Sequence, residues 1–422
     1  MLKNLTKNQI EILQEGFKNE GESSYEFILG NRSDVIISAP HSCSFTKDGE
    51  NMPAEYNSGV IAKLLNKYFG YSILCKTKNC GDDANSDEKS DYKNQLATIC
   101  RKYSPIVVLD LHCTTSESDF VVNVCSSYGK TLQDDNGMIG ELAGTFKNFG
   151  IYKVAIDQGY SLEQKTVSNF ISNKLGQKAV QIEVNNGFLE YSPQNLVKIV
   201  NALHSFCQTI RKRNEIKSRQ ISLERLREID DAFSKTQSLN DFEYVDGISD
   251  IVLSAPHAKN SVLNGKLKPS ESITGSICKL FYKEFGFSII YKSRDNDQDY
   301  FNTKTNEYKT TLFKKVLKPS TKLYLELHVL NKDRVQDVTL FLPDDYDKEK
   351  LYQIINILNN HNLQYFSINS IFDSYKKTRT VNQIKNDCFK LQICFNQRLI
   401  DDDERLKDVV ECLKDLVASF II

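Results

Sequence analysis

Apolar positions along the chain follow two rhythms. Val35 to Ala39, Tyr71 to Lys76, Ile106 to Leu111 and Ala179 to Val184 are short, nearly continuous apolar runs rich in β-branched residues, and each predicts a buried strand. Ser58 to Phe69, Asp91 to Tyr103 and Met138 to Asn148 space their apolar residues as one face of a helix does. Strand and helix alternate, which predicts an α/β domain with a mainly parallel sheet covered on both faces. In open sheets of that kind ligands bind beyond the carboxyl ends of the strands, so His41, His112 and Glu183, at or just past such ends, become residues of interest.

The pattern occurs twice. Ser38-Ala39-Pro40-His41 returns as Ser254-Ala255-Pro256-His257, 216 residues on. At the same offset Gly49 matches Gly265, Pro53 matches Pro269, Glu55 matches Glu271, Asp83 matches Asp299, Tyr92-Lys93 matches Tyr308-Lys309 and Leu111-His112 matches Leu327-His328. Further on, with small gaps, Gln181-Ile182-Glu183-Val184-Asn185 aligns with Gln392-Ile393-Cys394-Phe395-Asn396. A charged, helix-prone stretch precedes each copy, Leu5 to Phe17 and Ile210 to Lys235. Two tandem domains are expected, residues 1–215 and 216–422.

Composition narrows the setting. A length of 422 residues exceeds one ordinary core, and 40% hydrophobic with 26% charged residues is typical of a globular protein. A net charge of −1 gives no reason to expect nucleic-acid binding. No apolar run nears the ~20 residues that cross a bilayer, and Met1 to Gln14 lacks the apolar core of a secretory signal. Eleven cysteines without a repeating C-x-x-C pair suit free thiols in a reducing compartment, so a cytoplasmic protein is expected.

The chain has only six histidines, and four of them, His41, His112, His257 and His328, are the two equivalent pairs. A single histidine is ordinarily a hydrogen-bonded core residue. Retention of both in both copies points instead to a divalent metal, because two imidazoles and a carboxylate leave one position of a zinc ion open. Glu55, with Glu271 as its twin, is the carboxylate of choice, although a glutamate opening a helix is also favoured there by the helix dipole. Cys43 and Cys113 flank the two histidines and are further conceivable ligands. Asp110 stands two residues before His112 on the same strand face and can orient an imidazole; Glu326 is its counterpart. Asp83 and Asn85 lie in a polar loop expected to overhang the metal. Glu183 interrupts an apolar strand, which suits a general base and equally an edge-strand residue facing water.

Pro40-His41-Ser42, Glu55, the Asp83-Ala84-Asn85 loop, Asp110-Leu111-His112 and Gln181-Ile182-Glu183-Val184-Asn185, in that order, resemble the N-formylglutamate amidohydrolase family, relatives of the zinc carboxypeptidases. The resemblance spans nearly all of the first half and, more weakly, the second. It implies three-layer α/β/α domains, zinc on His41, Glu55 and His112, catalysis by Glu183, and hydrolysis of an amide in an N-acyl amino acid or peptide-like substrate. The carboxypeptidase branch pairs its first ligands as His-x-x-Glu, whereas Ser44 stands there in this chain. Where the family has an arginine, the first copy offers Lys76 and Lys78 and the second has Arg294. The second copy keeps His257, Glu271 and His328 but carries Cys394 in place of Glu183, so weak or no metal binding and little hydrolysis are expected of it. The other reading open to the chain is a tandem, non-catalytic binding or interaction module, and its halves could form an intramolecular pseudo-dimer.

Overall fold

The computed structural model describes residues 1–114, 117–133, 135–159, 165–263, 265–369 and 379–421. They form two compact units, Met1–Lys212 and Arg213–Ile422. In the first, α1 (Lys7–Lys18) precedes β1 (Tyr25–Ile28) and β2 (Arg32–Ala39). A hairpin of β3 (Phe45–Lys47) and β4 (Glu50–Met52) leads into α2 (Tyr56–Phe69) and β5 (Tyr71–Lys76). There follow α3 (Asp91–Tyr103), β6 (Val107–Thr114), β7 (Val122–Cys125), α4 (Asn136–Asn148), β8 (Val154–Ile156), α5 (Val167–Leu175), β9 (Ala179–Asn185), the short α6 (Asn186–Tyr191) and α7 (Pro193–Ser218).

The second unit repeats this order. Among its elements are α8 (Leu223–Lys235), β10 (Phe242–Val245), β11 (Ile251–Ala255), the hairpin β12 (Ser261–Leu263) and β13 (Lys266–Lys268), α9 (Ser272–Phe285), β14 (Ser288–Lys292), β15 (Leu323–Leu330), β16 (Val338–Phe341), β17 (Phe366–Ile368) and β18 (Phe389–Asn396), and further helices lie between the strands from β14 on and after β18. The sheets run β1-β5-β2-β6-β9-β7-β8 and β10-β14-β11-β15-β18-β16-β17, the same order position for position. In each, four central strands are parallel; one strand on one side of them and two on the other, parallel to each other, run antiparallel to the four. The chain is a tandem duplication of one mixed-sheet α/β domain.

Side chains alternate across a strand, and the alternation places the site. In β2, β6 and β9, Val35, Ile37, Leu109, Leu111, Val180 and Ile182 face a large core with α2, α4 and α7. Ile36, Val108 and Ala179 face a smaller one with α3 and α5. Helices therefore cover both faces. On the second face the apolar residues stop short of the strand ends, and Ser38, Asp110, His112, Gln181 and Glu183 continue the rows. Ser38, Asp110, His112 and Gln181 are buried there and Glu183 is half-buried.

Glycine at position 59 lets α2 approach closely. A Cβ there would lie 2.5 Å from Phe17 of α1 and 2.6 Å from Ser42, beside His41. Gly275 does the same against Phe233 and Ala258. The helix-prone stretch before each copy thus supplies the aromatic ring, Phe17 or Phe233, that packs against α2 or α9. Among the described residues no helix is long and apolar enough to cross a membrane. All eleven cysteines are free.

Candidate metal centre

His41 follows the end of β2, while His112 lies inside β6, which runs on to Thr114. Glu55 is fourteen residues from His41 in sequence, but the β3–β4 hairpin carries the chain out and back, and the Glu55 amide donates to the His41 carbonyl at 2.8 Å. Glu55 is the N-cap of α2, yet its side chain makes no capping bond. One oxygen lies 3.0 Å from His41 Nδ1, the other 3.3 Å from His112 Nδ1. The second oxygen also accepts the Cys113 amide at 2.8 Å. A helix-dipole role alone would not turn the carboxylate toward two rings.

The far side of each ring is held as well. His41 Nε2 donates to Asp83 at 2.8 Å. Asp83 is itself fixed by the amides of Asn85 and Ser86 at 2.8 and 3.0 Å. His112 Nε2 faces Asp110 at 3.4 Å, within ion-pair range but without hydrogen-bond geometry, and Asp110 accepts Ser38 Oγ at 2.8 Å. A ring whose Nε2 carries the proton presents a lone pair at Nδ1. Two such lone pairs and a carboxylate converge here, their donor atoms all within 4.8 Å of one another. Three acceptors face to face need positive charge between them, either protons or a cation. With three carboxylates around two imidazoles, the donor set suits a divalent metal.

Without a metal, protons supply that charge. Burial works against a charge on His41 and His112, but their carboxylate partners outweigh it and raise both proton affinities. Burial likewise pushes Glu55 up, while His112 and His41 pull harder and hold it at about 2. Asp83 is lowered in the same way by His41.

Glu183 stands opposite His112 in the register of the parallel pair β6 and β9, on the same face. β9 is an interior strand between β6 and β7, so Glu183 is not an edge residue. Gln181 Nε2 donates to its carboxylate at 3.0 Å and Asn123 Nδ2 at 3.4 Å. Asn85, although in the loop with Asp83, spends its side-chain oxygen on the Val167 amide at 2.9 Å, at the start of α5. It ties the loop to the helix. Lys76, the nearest cation considered in sequence, is paired with Asp82 at 2.6 Å. Neither Cys43 nor Cys113 belongs to the donor group. Phe45, which sequence reasoning passed over, stacks on the His41 ring at 3.7 Å.

The second half rebuilds this geometry around His257, Glu271 and His328. Glu271 lies 3.4 Å from His257 Nδ1 and 3.3 Å from His328 Nδ1. Asp299 and Glu326 hold the two Nε2 atoms at 3.0 and 3.1 Å. His328 stands opposite Cys394 in register. Burial pushes the Cys394 thiol up to about 12. Lys268, at the end of β13, puts its Nζ 2.7 Å from His257 Nδ1 and 3.7 Å from Glu271. Nζ is also 3.4 Å from His257 Nε2, so the ammonium lies over the ring, and one ligand atom each of His257, Glu271 and His328 lie within 4.8 Å of one another. The position equivalent to Lys268 in the first half is Met52.

No family model matches the chain, and no curated protein matches it. It is similar to solved structures. A gene product of Agrobacterium tumefaciens matches at 12% identity, over 46% of this chain and 96% of that one, with a TM-score of 0.33. N-formylglutamate amidohydrolase from Ralstonia eutropha JMP134 matches at 12% identity, over 44% and 98%, with a TM-score of 0.32. A metallo-carboxypeptidase from Burkholderia cenocepacia matches at 13% identity, over 49% and 70%, with a TM-score of 0.30.

Proposed function

We propose that the first half is a zinc-dependent hydrolase that cleaves an amide bond in an N-acyl amino acid or peptide-like substrate, and that the second half is not hydrolytic. His41, Glu55 and His112 would hold the metal through two Nδ1 atoms and a carboxylate. Zinc so held supplies Lewis acidity, polarising a carbonyl and acidifying water. Asp83 accepts from His41 Nε2 and keeps that ring in the tautomer that offers Nδ1 inward, while the Asp110 carboxylate faces His112 Nε2 at 3.4 Å. Glu183 takes the proton of the attacking water and returns it to the departing amine nitrogen. Gln181 and Asn123 hold its carboxylate in place for both transfers. The observation that carries this reading is the convergence of both Nδ1 atoms on Glu55, with Glu183 in register beside His112.

The reading is tested by metal analysis of the purified chain and by hydrolysis of a panel of N-acyl amino acids and short peptides. Zinc near one equivalent is expected in the first half. Glu183→Gln should lower turnover on a confirmed substrate about 10²–10⁴-fold, the usual contribution of a positioned acid-base group. Unchanged turnover, or a first half without zinc, would refute it.

A further inference from the structure

We propose that the first half carries, at the end of its sheet remote from the metal centre, a binding site for a phosphate group, built on Arg32 and Lys67. Neither a metal nor hydrolysis is required for it. β2 starts at Arg32 and ends at Ala39, just before His41, which puts about 20 Å of strand between the two places. The two copies agree at this corner in backbone and differ in side chains. In both, an amide here donates to the carbonyl of the glycine that ends the neighbouring helix, Arg32 to Gly70 at 2.9 Å and Ile248 to Gly286 at 2.9 Å. The buried ring after that glycine is Tyr71 in the first half and Phe287 in the second. The corner therefore closes without a guanidinium or a phenol, and the fold alone accounts for neither.

A cleft of about 640 Å³ opens there, with Gly30, Arg32, Lys67, Phe69 and His204 on its wall and no carboxylate among the described residues that line it. The half-buried Arg32 holds its guanidinium 5.7 Å from the Tyr71 ring centroid, and its Nη1 is buried without a hydrogen-bond partner. A buried donor left unpaired is costly, more so on a charged group, and this nitrogen lacks an acceptor within the chain. Asp34, the next carboxylate along β2, is paired with Arg211. Lys67, exposed beside the cleft, lies 5.6 Å from the Tyr68 ring centroid. His204 is fixed from two sides: Phe69 stacks on it at 3.8 Å, and Tyr71 Oη stands 3.0 Å from its Nδ1. Burial, and after it the charge of Arg32, hold this imidazole at about 4, so it stays neutral. Two cations on a polar wall free of carboxylates suit an anion. The planar fork of a guanidinium suits the oxygens of a phosphate.

Calorimetric titration of the full-length chain with inorganic phosphate, at constant ionic strength in chloride, tests this. One equivalent is expected to bind. Arg32→Ile, which copies the second half, should bind at least about tenfold more weakly, the scale of one charge-assisted hydrogen bond. Lys67→Met should also bind more weakly than the parent. The His41→Ala, His112→Ala chain should bind like the parent, which separates this site from phosphate held on a metal. Glycerol phosphate is the second probe: tighter binding than inorganic phosphate assigns the site to a phosphate monoester, equal or weaker binding to the free ion. In nuclear magnetic resonance the His204 imidazole should titrate at higher pH with phosphate bound, because a nearby anion favours its charged form. Absence of binding, equal binding by Arg32→Ile or Lys67→Met, binding lost with His41 and His112, or an unmoved His204 titration overturns the proposal. Circular dichroism checks folding, and Arg32→Gln, neutral and polar, is read the same way if the isoleucine variant unfolds.

Discussion

Replacing Asp83 by asparagine isolates what a carboxylate behind an imidazole contributes. Asp83 Oδ1 accepts His41 Nε2 at 2.8 Å and the amides of Asn85 and Ser86 at 2.8 and 3.0 Å. An asparagine oxygen can keep all three contacts, so the loop and the ring stay in place and only the charge is lost. A hydrogen bond to a charged group contributes about 1.5–3 kcal/mol and a neutral one about 0.5–1.5. The difference, about 1–1.5 kcal/mol, corresponds to roughly tenfold in zinc affinity, within the range usual for groups behind a ligand. The assay is competition for zinc against a chelator of known affinity, followed by calorimetry. A pH series adds a second readout. Asp83 raises the proton affinity of His41 as well as its basicity toward metal. Protons compete more strongly in the parent as the pH falls, so the deficit of Asp83→Asn should shrink toward acid. Affinity within twofold of the parent for Asp83→Asn would refute the reasoning.

Further outcomes follow from the same geometry. Gly59→Ala should destabilise the first half by about 1–3 kcal/mol in urea unfolding, because its Cβ would meet Phe17 and Ser42 at 2.5 and 2.6 Å. Brief iodoacetamide treatment of the native chain, read by mass spectrometry, should label the exposed Cys80 first and spare Cys394, whose thiol burial pushes up to about 12. Burial opposes a charge on His328, but Glu271 and Glu326 outweigh it and raise its pKa from 6.5 to about 9. Its ionic contribution to stability is therefore whole below pH 6.5 and fades as the pH rises through 9. The stability gap between the parent and His328→Gln, measured by denaturant unfolding, should be larger at pH 6 than at pH 10.

Much of the central sheet was legible in sequence because buried parallel strands read as unbroken apolar runs. Tyr71–Lys76 and Asp91–Tyr103 have the bounds that the apolar pattern predicts. β6 runs three residues further than expected, to Thr114, since its last turns of the pattern are polar and carry the site. The flanking strands β1, β7 and β8 escaped notice, being only three or four residues long. Matching identities between the copies pointed to His41, Glu55, Asp83 and His112 as a group. They could not point to Lys268, whose twin Met52 differs from it, because a repeat advertises what it keeps. Asn85 shares a loop with Asp83, its side-chain oxygen accepts the Val167 amide at the start of α5, and its twin is Phe301.

The hairpin that ends in Met52 or Lys268 has a genetic consequence. Methionine and lysine codons differ by a single base, so this position can pass between an apolar side chain and an ammonium beside the His257 ring by one point mutation. In a duplicated gene, one such change would alter the charge beside one donor set without disturbing a strand, a helix or a donor atom of either copy.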